Sequence, residues 1–386
     1  MKTINIFTID NLEGDYCTQI WEYFYAYYQY QSYPNDTDIN INFLSDKNFN
    51  EINFSNDALN IVHFSMNDFK YTLRYDLNKF DVVIFDNMFE HLMVSDPDII
   101  KYVLQHDNAY LSVGSYVSNE HHMFEKFIPF QMDIVNCRDW YTNPKVFSSY
   151  SFNHINDKKN NLIYIGAELR SWRKFIIDNL TKNININVHQ VPQTVVCTRD
   201  TNLGDSYTQN FIEYCNNKYQ VTGVEEVENP LYKELIYGHK DRPAGKSLMS
   251  AWIIPEFINS KCVVYAESSF VNDEICLTEK TIKCIMTKTH WIFFAGSNAY
   301  KLLKEFGLRS VLELIPGGLE FDCIKNPKER FKKQISLIKY LSEHPEIFDT
   351  PEAQNIVNSN YEIFISGNQF LTPLFDKLND ILLKHQ

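Results

Sequence analysis

Glycine is scarce in this chain, 12 of 386 residues, and no Gly-x-Gly-x-x-Gly occurs anywhere in it. That removes the dinucleotide fingerprint, whose glycines let the backbone approach a pyrophosphate. A complete P-loop is also lacking. The nearest approach, Ala244-Gly-Lys-Ser247, has Lys240 where the first glycine belongs, and Pro243 interrupts the N–H groups that would cradle phosphate. A nucleotide-binding dehydrogenase and an ATPase are therefore disfavoured. The eight cysteines form no C-x-x-C pair and show no regular spacing, which argues against zinc and against a disulfide framework. Cys197, Cys262 and Cys284 sit in apolar runs, as small core residues do. A reducing compartment fits this usage.

Positive charge is in deficit as well. Against 49 acids stand 36 Lys and Arg, a net charge of −13, which disfavours a protein that coats nucleic acid or an anionic membrane. No apolar stretch is long enough to span a bilayer. The opening MKTINIFTID reads as a strand without a signal-peptide core. A cytoplasmic location is the expectation, so the sequons at Asn35, Asn53 and Asn179 carry little weight. Gly/Ser linkers and low-complexity runs are missing too, which leaves little room for disorder.

What is present describes a globular chain: 44% hydrophobic, 15% aromatic and 22% charged residues, over a length that suits two domains. Asn, Ile, Tyr and Lys are abundant, a bias that AT-rich coding of a phage, virus or low-GC bacterium produces. Strand-like and helix-like segments alternate through the first half. Ile4 to Ile9, Ile39 to Leu44 and Asn60 to Ser65 read as strands, and Gln19 to Tyr30 reads as an aromatic-rich helix. Asp81 to Asp86 is an apolar run bounded by acids, the pattern of a strand buried on both faces. Asp98 to Gln105 then reads as a helix and Ala109 to Val113 as a strand. Such alternation predicts βαβ units and a doubly wound sheet.

Periodicity lapses over 137–160, where the domain boundary is expected. It restarts with strand Leu162 to Gly166, helix Arg170 to Thr181 and strand Asn185 to Gln190. Helices are also predicted at Tyr207 to Tyr214 and Leu248 to Phe257. From Pro327 the tail reads as three helical pieces. The plan is thus an α/β domain over 1–150, a second over 151–350, and helices over 351–386 that pack back on the first.

One stretch carries the chemistry. Cys262 to Ala266 is a buried strand ending in Glu267-Ser268-Ser269; an acidic loop with Asp273 follows, and Thr278-Glu279-Lys280 opens a helix before a second buried strand, His290 to Ala295. Ligands of open α/β sheets sit where strand ends meet helix N-termini. Thr278 is the expected N-cap, and the free N–H groups behind it, together with Lys280, favour a phosphate. The plain alternative is that Glu279 merely complements the helix dipole.

This segment resembles the donor-binding motif of the α-1,3-fucosyltransferases and related glycosyltransferases of bacteria, phages and large viruses. The corresponding residues are Glu267-Ser268-Ser269, Asp273, Thr278-Glu279-Lys280 and Gly296, with Leu162 to Ile165 and then Arg173 upstream. The similarity spans about residues 160–320. Ser268 stands where that family commonly has Asn, and His290-Trp291 where it commonly has Pro-Val or Pro-Phe. The resemblance implies the GT-B plan, two Rossmann-like domains, and a nucleotide-diphosphate sugar as donor. It further implies that Lys280 and Arg173 bind diphosphate, with Arg170 one turn earlier as a substitute. Glu267 and Glu279 would hold donor hydroxyls.

Transfer without a metal needs such cations, because the departing diphosphate develops negative charge. Arg199 and Lys246 are weaker candidates for that charge. Lys158, Lys159, Arg170, Arg173 and Lys174 gather near one strand–helix junction, either as a basic cleft or as a solvated face. Neither D-x-D tripeptide, Asp36-Thr-Asp38 nor Asp96-Pro-Asp98, follows a buried strand, so no metal and no other cofactor are expected. His121-His122 lacks a third ligand close in sequence.

An inverting transfer requires a carboxylate base from the first domain. Glu120 leads as the catalytic base, with Asp86 next and then Glu13 and Asp10. The expected partners are a nucleotide sugar and a carbohydrate acceptor, or else a hydroxymethylated base in phage DNA. A phage or viral enzyme would work in the host cytoplasm. A glycosyltransferase-like binding protein without activity is the rival from another class.

Overall fold

The computed structural model describes residues 3–10, 21, 39–43, 54, 57–65, 76–87, 97–117, 124–129, 158, 160–166, 171–184, 186–190, 259–267, 270 and 273–385. Two compact units make up the chain: Met1–Met132 with Asn368–Gln386, and Asp133–Gly367. Residues 131–157, which include most of the stretch where periodicity lapses, lie outside the described residues.

The first unit is built on β1 (Thr3–Asp10), β2 (Ile39–Phe43), β3 (Ala58–Ser65), β4 (Val82–Asn87), α1 (Pro97–Gln105), β5 (Ala109–Val113) and β6 (Phe127–Pro129). All pairings in its six-stranded sheet are parallel, in the order β2-β1-β3-β4-β5-β6. Burial on both faces explains the unbroken apolar run Val82 to Phe85, each residue of which is 0% exposed. One face, with Phe7, Phe64, Val83, Phe85 and Leu111, forms a core with Ile99 and Val103 of α1.

The second unit holds β7 (Asn160–Gly166), α2 (Ser171–Asn183), β8 (Asn187–Gln190), β9 (Ser260–Ala266), α3 (Glu279–Met286) and β10 (His290–Phe294). Its four-stranded sheet is also parallel, in the order β10-β9-β7-β8. Counted from its own first strand, that order is 2-1-3-4, the same as in the first unit. In each sheet the order reverses beside the first strand, which creates a crevice at the carboxyl ends of two neighbouring strands.

Helices α4 (Ala299–Glu305), α5 (Pro327–Glu343), α6 (Pro351–Ser366) and α7 (Asn368–His385) complete the fold. The last three are the helical pieces the sequence predicts. Asn326 and Thr350 cap α5 and α6 with their side chains, each followed by a proline whose missing N–H costs nothing there. Gly367, at φ +69°, ends α6 in the left-handed conformation that glycine adopts without strain. The α/β class expected from alternation is thus what the chain adopts. Among the described residues no helix is long and apolar enough to cross a membrane.

Candidate functional site at a strand end of the second unit

The crevice of the second sheet lies between β7 and β9. Glu267, the residue after β9, is 0% exposed, and its N–H donates to the Phe294 carbonyl at 3.0 Å, which holds it beside the end of β10. Its side chain turns to the N-terminus of α3. Oε1 accepts from the Thr281 hydroxyl at 2.8 Å and from the Thr278 N–H at 3.3 Å. Tyr265 Oη and Thr281 Oγ1 lie 2.6 Å apart, extending the network into the sheet. Arg173 of α2, 5% exposed, donates from Nη2 to the Glu267 carbonyl at 3.1 Å. Two residues separated by 94 positions are thereby joined at the switch point.

Thr278 does occupy the N-cap, with extended backbone, but its hydroxyl makes no capping bond. The Glu267 carboxylate instead accepts the N–H of Thr278 itself, beside the start of the helix. A carboxylate satisfies the free N–H groups of a helix start and its charge suits the dipole there. Burial pushes the Glu267 carboxyl above its usual range, opposed by the Lys280 ammonium and by the bonds from Thr278 and Thr281. Lys280 itself is only 7% exposed. The sequence reading has this lysine facing an open phosphate site, and it does not include the electrostatic partnership with Glu267.

Three buried polar atoms close to this network have no hydrogen-bond partner among the described residues: Glu267 Oε2, Thr278 Oγ1 and Tyr164 Oη. Native structures leave few such groups without a partner, and a bound polar ligand is one way of satisfying them. Tyr164, on β7 in register with Val264, is pushed up to about 12 by burial, against the nearby Arg173 charge.

Other predicted residues divide. Asp273 adopts φ +63°, and its carboxylate is engaged by Asn298 Nδ2 at 2.5 Å and Lys325 Nζ at 3.5 Å, so it shapes the loop. Lys158 does not join Arg173. It precedes β7, at the opposite end of the sheet, and donates to the Lys288 carbonyl (3.1 Å) and the Thr289 hydroxyl (2.6 Å) past the end of α3. A cation there suits the negative end of the dipole. Burial lowers Lys158 to about 8. Asp98 is exposed in the first turn of α1. Glu120, Arg170, Ser268, Glu13, Lys159, Arg199, Lys246, Asp36, Asp38, Asp96, His121 and His122 lie outside the described residues, as do the side chains of Glu279, Lys174 and Asp10.

No family model matches the chain. No curated protein matches it either. Among solved structures it is similar to an α1,3-fucosyltransferase with GDP, at 14% identity and TM-score 0.34, over 97% of this chain and 91% of that one. A DNA-modifying β-glucosyltransferase is similar at 9% identity and TM-score 0.40, over 98% and 99%. So is a UDP-forming α,α-trehalose-phosphate synthase from Burkholderia xenovorans, at 12% identity and TM-score 0.41, over 98% and 99%. Overlaps this loose leave the functional reading to the local geometry.

Sequence reasoning missed Thr281 and Tyr265, which tie Glu267 in place. The signal for Thr281 was present, because it lies three residues after Thr278 and hence near the same helix start. Arg330, also missed, is 1% exposed and donates to the carbonyls of Ala295, Phe270, Ile324 and Lys325. It ties the end of β10 to the loops around it.

Proposed function

We propose that this protein is a glycosyltransferase that moves a sugar from a nucleoside-diphosphate donor to a hydroxyl of a carbohydrate acceptor. The observation that carries the reading is Glu267, wholly buried at a switch-point strand end and bonded to Thr278 and Thr281 at the start of α3, while Arg173 holds its carbonyl. A buried carboxylate oxygen without a described partner is an acceptor for donor hydroxyls. Lys280 and Arg173 are the cations for the diphosphate, with Arg170 in reserve. Glu279, Ser268 and Thr278 complete the donor set. A carboxylate of the first unit, Glu120 or Asp86, serves as base in an inverting, metal-independent reaction. The GT-B plan and a cytoplasmic setting, in a host cell if the protein is viral, belong to the same proposal.

Calorimetry with GDP, UDP and CDP tests it. One of these should bind, and Lys280→Ala should weaken it by about 1.5–3 kcal/mol, the range for charge-assisted hydrogen bonds. Because Lys280 also offsets Glu267, the same substitution is repeated in a Glu267→Gln background. Weakening that persists there assigns Lys280 to phosphate. Loss of the effect would reduce the lysine to a counter-charge, and no binding by any of the three diphosphates would overturn the function.

A further inference from the structure

An anion-binding helix start and an ionisable carboxylate meet at α3, and each bears on the charge of the other. Glu267 is 0% exposed and Thr278 8%. Glu267 Oε2 and Thr278 Oγ1 are buried without a hydrogen-bond partner among the described residues. Two such atoms beside a helix N-terminus are complements for a phosphate.

The bonds of this network have a direction. Thr281 gives its hydroxyl proton to Glu267 Oε1 at 2.8 Å, so its oxygen accepts from the Tyr265 hydroxyl at 2.6 Å. The Thr278 N–H donates to the same Oε1 at 3.3 Å. When a carboxyl is neutral, the oxygen that accepts two such bonds is its carbonyl oxygen. A proton added to Glu267 therefore resides on Oε2, the atom without a described partner.

Burial opposes the charge of Glu267, and the Lys280 ammonium is its strongest support. A diphosphate held by Lys280 draws on that same cation and adds like charge beside the carboxylate. Both effects favour the neutral carboxyl.

We propose that Glu267 takes up a proton when the diphosphate binds, and that the neutral carboxyl then donates Oε2–H to a phosphate oxygen. This inference rests on the nucleoside-diphosphate reading above. The proton comes from solvent and adds to Oε2, and no other covalent bond changes. Oε2 keeps a lone pair for a donor hydroxyl. The charge of Lys280 is then left to the phosphates.

Among the described residues, the other titratable groups at this network come from four elements. Helix α3 brings Lys280 and Cys284, β9 brings Tyr265, α2 brings Arg173 and β7 brings Tyr164. Burial pushes Cys284, Tyr265 and Tyr164 up, so all three stay neutral where a carboxyl titrates. Arg173 stays charged and engages the Glu267 backbone carbonyl. Asp86, a buried carboxyl near the end of β4 in the first unit, faces His63 Nε2 at 4.0 Å instead.

The test is calorimetry of the full chain between pH 5 and 8, with whichever of GDP, UDP and CDP binds, in buffers of different ionisation enthalpy. The diphosphate titrates as well, so Glu267→Gln is the reference. Its amide keeps an oxygen for Thr278 and Thr281 and puts an N–H where Oε2–H would be. Wild type should take up as much as one proton more than this variant. Its affinity should rise relative to the variant as pH falls, by up to about tenfold per pH unit, and approach the variant's at the acid end. Infrared difference spectra of the wild type should gain a neutral-carboxyl C=O band on binding, missing in Glu267→Gln. Thr281→Val should move that band to higher frequency, because Oε1 then accepts one bond fewer. Equal proton uptake in wild type and Glu267→Gln, binding without the band, or a band unmoved by Thr281→Val would each overturn the proposal. The band is read on the unaltered chain, so it decides even where a variant fails to fold. Failure of all three diphosphates to bind is different, since it removes the glycosyl-transfer reading and this inference with it.

Discussion

Glu267 illustrates what burial does to a single carboxyl. Removing it from water favours the neutral form, and neither Lys280 nor the two bonds from Thr278 and Thr281 cancels that. The sign for stability follows. A folded-state pKa raised above that of the unfolded chain means that the folded protein holds the proton more tightly. Its contribution is present below about 4.5, the ordinary value for a glutamate, and is lost as pH rises through the folded value. Glu267→Gln keeps an oxygen for Thr281 and Thr278 and cannot titrate. Chemical denaturation from pH 4 to 8, without nucleotide, should therefore show a shallower fall of stability with pH in the variant; parallel curves would contradict the burial account. From sequence alone Glu267 stood out as a candidate, yet a glutamate followed by two serines reads as exposed. Only the long-range approach of α3 and α2 takes it out of water.

Helix α3 is where several contacts of one element combine. Eight residues make a marginal helix in water, so its stability comes from what it packs on and from its ends. Glu267 serves the first end, Lys158 the last, and Ile282, Cys284 and Ile285 face the interior at 2% exposure or less. The next strand, β10, is secured at its carboxyl end by Arg330 of α5. Its guanidinium, lowered to about 10 by burial and supported by Asp322 and Asp273, spreads its donors over four carbonyls. Arg330→Met should destabilise the second unit by about 3–5 kcal/mol, because those carbonyls lose a buried charged partner. Arg330→Lys should recover little, since an ammonium cannot reproduce the planar fork. A lysine variant with wild-type denaturation midpoint would refute the bridging role. Helical periodicity announced α5, but nothing local distinguishes Arg330 from an exposed arginine.

At the scale of the whole molecule, α7 belongs to the first unit although the second lies between them in sequence. It buries Phe370, Leu374, Phe375, Leu378, Ile381 and Leu382. Tyr116 Oη donates to the Phe370 carbonyl at 3.1 Å, and His385 meets Tyr110. Truncation after Gly367 should therefore speed hydrogen exchange in β4 and β5 while leaving β9 and β10 protected. Equal loss in both units would argue against the division. Local sequence accounts for most of the described elements, through apolar runs bounded by acids, prolines and caps at helix starts, and three periodic helical pieces at the end, whereas α4 was not anticipated. These are local properties, set by backbone sterics and a repeat of two or 3.6 residues. Tertiary packing settles which strand ends are neighbours, and so that Arg173 meets Glu267, that the Glu267 carboxylate bonds Thr278 and Thr281 at the start of α3, and that His63 faces Asp86. Those juxtapositions depend on strand order and register between distant segments, which no local pattern encodes.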